Sequence, residues 1–204
     1  EGLHIYNSAS NTVIGSYIQN LAGSGAKVDS ADYNTITQST MVSNVAGYAA
    51  LFLGNSDSNT VTGSYMQSLA GEGVALESNS NYNTISQSTM VANGGPRHGL
   101  GLFSSANNTV TRSYVQNLEG VAAGLKENSN YNTISQSTMV SNTVGYAALF
   151  INASSNTILQ SLVQGSTAAF VSGSTGTVIV GSVFIATNGS GAGLVLADGS
   201  VNLT

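Results

Sequence analysis

The chain has 204 residues, 41% of them hydrophobic, which is enough for one folded domain with a real core and excludes a disordered chain. Only 6% are Asp, Glu, Lys or Arg, against roughly a quarter in typical globular proteins, and the net charge is −5. The cations are Lys27, Arg97, Arg112 and Lys126, too few and too dispersed for a phosphate-binding stripe, so no nucleic-acid partner is expected.

The absence of cysteine removes disulfides, thiolate metal sites and Cys nucleophiles together. No metal site and no cofactor is expected. No apolar run approaches the roughly 18 residues of a membrane span, so membrane insertion is not expected. The surface is left to Ser, Thr, Asn and Gly, a composition common in exported bacterial proteins, and the expected location is extracellular or on the cell surface.

From the N-terminus, Glu1 to Ser10 matches the end of a unit such as Gly47 to Ser58, with His4 read as a tolerated surface residue. A short phrase then recurs: Asn11-Thr-Val, Asn34-Thr-Ile, Asn59-Thr-Val, Asn83-Thr-Ile, Asn108-Thr-Val, Asn132-Thr-Ile and Asn156-Thr-Ile. A weaker copy, Gly176-Thr-Val, follows. Units therefore begin near 11, 34, 59, 83, 108, 132, 156 and 176, about 24 residues apart, within a single segment 1–204. They alternate in type, so the larger unit is a pair of coils.

Each unit carries three short apolar segments. The first, Thr-Val/Ile-Thr/Ser, has the period-two, β-branched character of a half-buried strand bounded by turn residues. The second is typified by Thr138-Met139-Val140, and the third by Gly47-Tyr-Ala-Ala-Leu-Phe-Leu53, repeated at Gly145 to Ile151. Three short strands per coil of about 24 residues, over about 8 coils, define an all-β parallel β-helix, or β-solenoid.

Stacked coils bring equivalent residues about 4.8 Å apart. The expected core columns are Val13, Ile36, Val61, Ile85, Val110, Ile134 and Ile158, and Ile18, Met41, Met66, Met90, Val115, Met139 and Val163. Ser16, Ser39, Ser64, Ser88, Ser113, Ser137 and Ser161 share their parity and are expected to point inward, with the bend one residue earlier. The anchor Asn side chains are expected to bond from coil to coil.

The pattern Asn-Thr-Ile-Ser-x-Ser with Gly-x-x-Leu and Ser-x-Asn-Asn-Thr-Val resembles the right-handed parallel β-helix repeat superfamily, over about Gly2 to Ser161. That superfamily spans pectate lyases, polygalacturonases, alginate epimerases, phage tailspikes and long repeat proteins of bacterial surfaces. The resemblance implies right-handed winding and says little about function.

Its enzymes need carboxylates clustered on one outer face. Here nine acidic residues scatter along the sequence, with Asp29, Glu77 and Lys126 at similar coil positions but in alternate coils. No catalytic residue is singled out, and the expectation is that the segment is not an enzyme. Arg97-His98-Gly99 replaces the Tyr-Ala-Ala of sister coils and resembles the Gly-His-Gly of polygalacturonases without that family's aspartates. An ion network of Arg97 with Glu72 and Glu119 is the preferred reading over a binding site.

Tyr17, Tyr65 and Tyr114 form an outward column at alternate coils, a candidate contact for glycans or for a neighbouring chain, against a plain role in shielding the strand ladder. The Thr-x-Thr strands invite an ice-binding reading, broken at Ile14 and Leu159. The leading functional reading is a structural or adhesive stalk or fibre segment. Its expected partners are flanking coils of a longer chain or further copies stacked end to end into filaments, because both ends are read as falling in mid-coil, with no leader and no capping repeat seen at the N-terminus. The alternative is a carbohydrate-binding or carbohydrate-cleaving β-helix.

Overall fold

The structure is a computed structural model describing residues 1–141 and 143–204. Among the described residues twenty-six strands, from β1 (Leu3–Tyr6) to β26 (Val201–Leu203), fall into three parallel sheets. In each coil the chain passes through the second sheet (Thr84–Ser86, for example), then the third (Thr89–Ala92), then the first (His98–Phe103). Every strand pairs with its equivalent one coil away: Thr84 beside Thr60 and Thr109, Met90 beside Met66 and Val115.

The expected columns fill the interior. Ile36, Val61, Ile85, Val110, Ile134 and Ile158 are buried, as are Met41, Met66, Met90, Val115, Met139 and Val163. Leu53, Leu76, Leu102, Leu125 and Ile151 complete the core from the first sheet, giving one continuous hydrophobic stack. In the last coils the register changes: Val178 pairs with Thr157, which sets Thr177 in place of the anchor Asn.

The bends lie where period-two parity requires them. Gly15, Gln38, Gly63, Gln87, Arg112, Gln136 and Gln160, one residue before each inward Ser, all have positive φ between 47° and 58°. Gly accepts that conformation freely, while Gln and Arg adopt it at a steric cost that the stacked coils offset. Tyr33, Tyr82 and Tyr131 make the matching left-handed bend before their anchors.

Polar ladders run along the buried corners. The backbone N–H of each anchor from Asn11 to Asn132 donates to the side-chain Oδ1 of the next anchor, at 2.7–2.9 Å. In the Ser column each backbone N–H donates to the next Oγ, and that hydroxyl donates to the carbonyl two residues back in its own coil. The inward Ser therefore bonds backbone rather than its column neighbours' hydroxyls. A third ladder through Ser56, Ser80, Ser105 and Ser129 works the same way at another corner.

Ser88 is 2% exposed, accepts from the Ser64 N–H at 3.2 Å and donates to the Ser86 carbonyl at 2.7 Å. Ser88→Leu should overpack this corner and orphan the Ser64 N–H, at roughly 1–3 kcal/mol. A thermal melt that overlays wild type would contradict the inward placement.

Candidate functional site

Strands of the first sheet alternate Leu inward with a second residue outward, and the outward residues build a groove along the solenoid axis. One outer column runs Lys27, Phe52, Ala75, Gly101, Gly124, Phe150 and Phe170; another runs Asp29, Gly54, Glu77, Phe103 and Lys126. Asp29, Glu77 and Lys126 thus share a column at alternate coils.

A cavity of about 270 Å³ opens on this face, lined in part by Lys27, Tyr48, Phe52, Glu72, Glu77 and Arg97. Glu72 and Arg97 come from the turns leading into successive strands, Val74–Glu77 and His98–Phe103, so stacking alone brings them together. The Arg97 Nη1 lies 3.4 Å from Glu72 Oε1, and the His98 Nδ1 lies 3.9 Å from the same oxygen, beyond hydrogen-bonding range. The expected ion network forms with Glu72; Glu119 instead accepts a hydrogen bond from the Gly95 backbone N–H.

The two carboxylates of the cavity are pushed in opposite directions. Burial, reinforced by the negative charges of Glu72 and Glu127, raises the Glu77 pKa above the ordinary carboxylate value. Burial opposes ionisation of Glu72 too, but the positive charge of the Arg97 guanidinium and a backbone hydrogen bond to the carboxylate help hold Glu72 below its ordinary value. A pair of carboxyls separated in this way can divide proton donor from charge stabiliser.

His98 is only 5% exposed, and neither ring nitrogen has a hydrogen-bond partner among the described residues. Burial lowers its pKa despite the opposing influence of Glu72, so the ring is neutral at neutral pH. Its imidazole packs edge-on against Phe103, 5.2 Å between centroids, and over the bare backbone of Gly124. A Cβ on Gly124 would stand 2.5 Å from His98 Cδ2. Gly124→Ala should therefore displace the ring and expose it, moving the His98 titration toward the free imidazole value of about 6.5. An unchanged His98 titration, followed by NMR, would contradict this packing.

A second cavity of about 470 Å³ lies further along the same face, with Tyr146, Phe150, Phe170 and Lys126 in its lining. Among the described residues no group of three or more His, Cys, Asp or Glu is placed to hold a metal ion.

The tyrosines named from sequence stand elsewhere. Tyr17, Tyr65 and Tyr114 alternate with Thr40, Thr89 and Thr138 on the outside of the third sheet, with Tyr17 67% exposed, and they line neither cavity. The outer Thr columns of the second sheet partly satisfy themselves, as in the Thr62 to Ser86 hydroxyl pair at 3.0 Å. The aromatic walls Tyr48, Phe52, Tyr146, Phe150 and Phe170 were not recognised from sequence, although parity with the inward Leu51 and Leu53 marks Phe52 as outward.

Residues 1–167 match the model of the right-handed β-helix region, and the chain belongs to that family. Among solved structures it is similar to an alginate lyase from Paenibacillus sp. str. FPU-7, with 17% identity and a TM-score of 0.59, over 97% of this chain and 87% of that one. It is also similar to DFA-IIIase from Arthrobacter chlorophenolicus A6 in complex with GF2, with 12% identity and a TM-score of 0.57, over 79% of this chain and 48% of that one. ORF18 of Geobacillus virus E2 matches with 9% identity and a TM-score of 0.57, over 98% of this chain and 52% of that one. The chain thus spans about half the length of the latter two. No curated protein matches it by sequence. At these identities the likeness is one of fold.

The expectation that the segment is not an enzyme is corrected by these comparisons, because an alginate lyase and a DFA-IIIase are built on the same coil. It rested on carboxylates scattered along the sequence. Glu72 and Glu77, however, are close neighbours in a single coil, and stacking brings Arg97 of the next coil into the cavity that they line. No helix among the described residues is long and apolar enough to cross a membrane.

Proposed function

We propose that the chain is a carbohydrate-binding and carbohydrate-cleaving β-helix, working on the outer face of its first sheet. The observation that carries this reading is the cavity in which Glu72, Glu77 and Arg97 meet beside the aromatic walls Tyr48 and Phe52. Aromatic rings suit the apolar faces of sugars, and the charged groups supply acid/base chemistry within the same enclosure.

In this reading Glu77 transfers the proton, since its raised pKa keeps it protonated further toward neutral pH than an ordinary carboxyl. Arg97, the more exposed member of its ion pair, orients a sugar hydroxyl or carboxylate. Glu72 is a positioning residue that anchors Arg97. Glycans are the proposed partners and an extracellular or cell-surface location the proposed setting; the carbohydrate reading is preferred to a stalk or adhesive fibre because neither of those roles calls for opposed carboxyls in a cavity.

The test is incubation of the protein with alginate, polygalacturonate and a β-fructan, following the release of short products. Depolymerisation of at least one is expected. Neither binding nor cleavage across an extended polysaccharide panel would overturn the reading.

A further inference from the structure

The two cavities derive from one sequence phrase. Gly47-Tyr-Ala-Ala-Leu-Phe52 and Gly145-Tyr-Ala-Ala-Leu-Phe150 are identical and stand four coils apart, ~19 Å along the axis at a strand spacing of about 4.8 Å. Each supplies its cavity with a Tyr and a Phe, and each Phe ring carries a lysine ammonium from the preceding coil: Lys27 Nζ at 5.6 Å from Phe52 and Lys126 Nζ at 5.0 Å from Phe150.

The copies have diverged around this common frame. Lys27 lies 2.9 Å from the Asp29 carboxylate, so its charge is already matched. Lys126 stands in the column of Asp29 itself, and among the described residues it forms no ion pair. One coil onward, the first cavity has Ala75 with Glu72 and Glu77, whereas the second has Phe170 parallel to Phe150, 5.8 Å between centroids with 4° between planes. Among the described residues no carboxylate lines the second cavity.

We infer that the second cavity is a sugar-binding subsite without chemistry of its own, taking a carboxylate-bearing ring of the same saccharide chain that occupies the first. The ring's apolar face lies against Tyr146, Phe150 and Phe170, and its carboxylate meets Lys126. Two features support an anionic occupant. Lys126 is a half-buried cation that feels the charges of Glu127 and Glu72 but, among the described residues, has no carboxylate within ion-pair distance, a state that an incoming carboxylate relieves; its ammonium, held over the Phe150 ring, stands beside any sugar ring seated on these aromatics. This inference rests on the carbohydrate reading above and adds to it a division of labour between a cleaving and a holding cavity.

The experiment measures binding by calorimetry in a Glu77→Gln background, which blocks turnover, using a mannuronate hexasaccharide, a mannuronate disaccharide and a neutral inulin hexasaccharide. Phe170→Ala and Lys126→Gln are each expected to weaken the mannuronate hexasaccharide about tenfold, the loss of roughly one good contact. Lys126→Gln is also expected to flatten the salt dependence and to leave inulin hexasaccharide binding unchanged. Melting curves of both variants control for folding, and Lys126→Gln, at a half-buried position outside the hydrophobic core, keeps the test intact if Phe170→Ala fails to fold. Mannuronate hexasaccharide affinity that is unchanged in Lys126→Gln, or absent from the parent, overturns the inference. Lys126-dependent binding without turnover by the wild type would retain the subsite and refute only the cleaving role; turnover indifferent to Lys126 and Phe170 would do the reverse.

Discussion

Glu77→Gln is expected to reduce turnover of the polysaccharide substrate by on the order of 10²–10⁴ while leaving the coil intact, the range typical for removing a positioned general acid or base. Burial and the charges of Glu72 and Glu127 raise the Glu77 pKa, so the alkaline limb of the wild-type rate profile should lie above the ordinary carboxylate range and disappear in the variant. The same shift sets the sign of a stability effect. A carboxyl whose folded pKa is raised contributes stability that is full below its unfolded value and is lost as pH rises through the folded one. The Gln variant lacks that loss, so its Tm should exceed wild type at neutral pH, and the gap should close below the ordinary Glu value of about 4.3. An unaltered pH profile of turnover would remove Glu77 from the chemistry.

Asn108→Leu should cause the largest loss of stability for a change that keeps the number and branching of side-chain heavy atoms. Asn108 is 1% exposed; its Oδ1 accepts from the Asn83 N–H at 2.8 Å and its Nδ2 donates to the Ser80 carbonyl at 2.9 Å. Leucine leaves both backbone groups buried without partners, at about 1–3 kcal/mol each. For a chain of this size each kcal/mol moves Tm by about 2–4 °C, so a drop of at least about 4 °C is expected. The break should be felt by the adjoining coils first, since each coil rests only on its neighbours. A Tm unchanged from wild type would show that water or another group replaces the ladder.

The reach of the sequence is clearest in the columns. Ile85, Met90 and Ser88 are assigned inward by period-two parity alone, and the structure buries all three with the bend at Gln87. Such features are legible because each depends on a strand of three or four residues and on the same residue recurring one coil later. Local alternation and repeat spacing carry that information directly.

The site was less legible. Arg97 and Glu72 could be paired in advance because they interrupt the repeat at matching places in adjacent coils. Glu77 was set aside, since its relation to them depends on how far each turn swings over the strand below. The same holds for Phe150 and Phe170, whose parallel stacking follows from a register that shifts in the last coils. By itself the sequence determined the coil, its period, its core and its polar corners, because these are nearest-neighbour properties of a repeating strand. Only the tertiary structure decided which outward residues share an enclosure, because burial, charge coupling and cavity shape depend on several coils at once and on the turns that depart from the repeat.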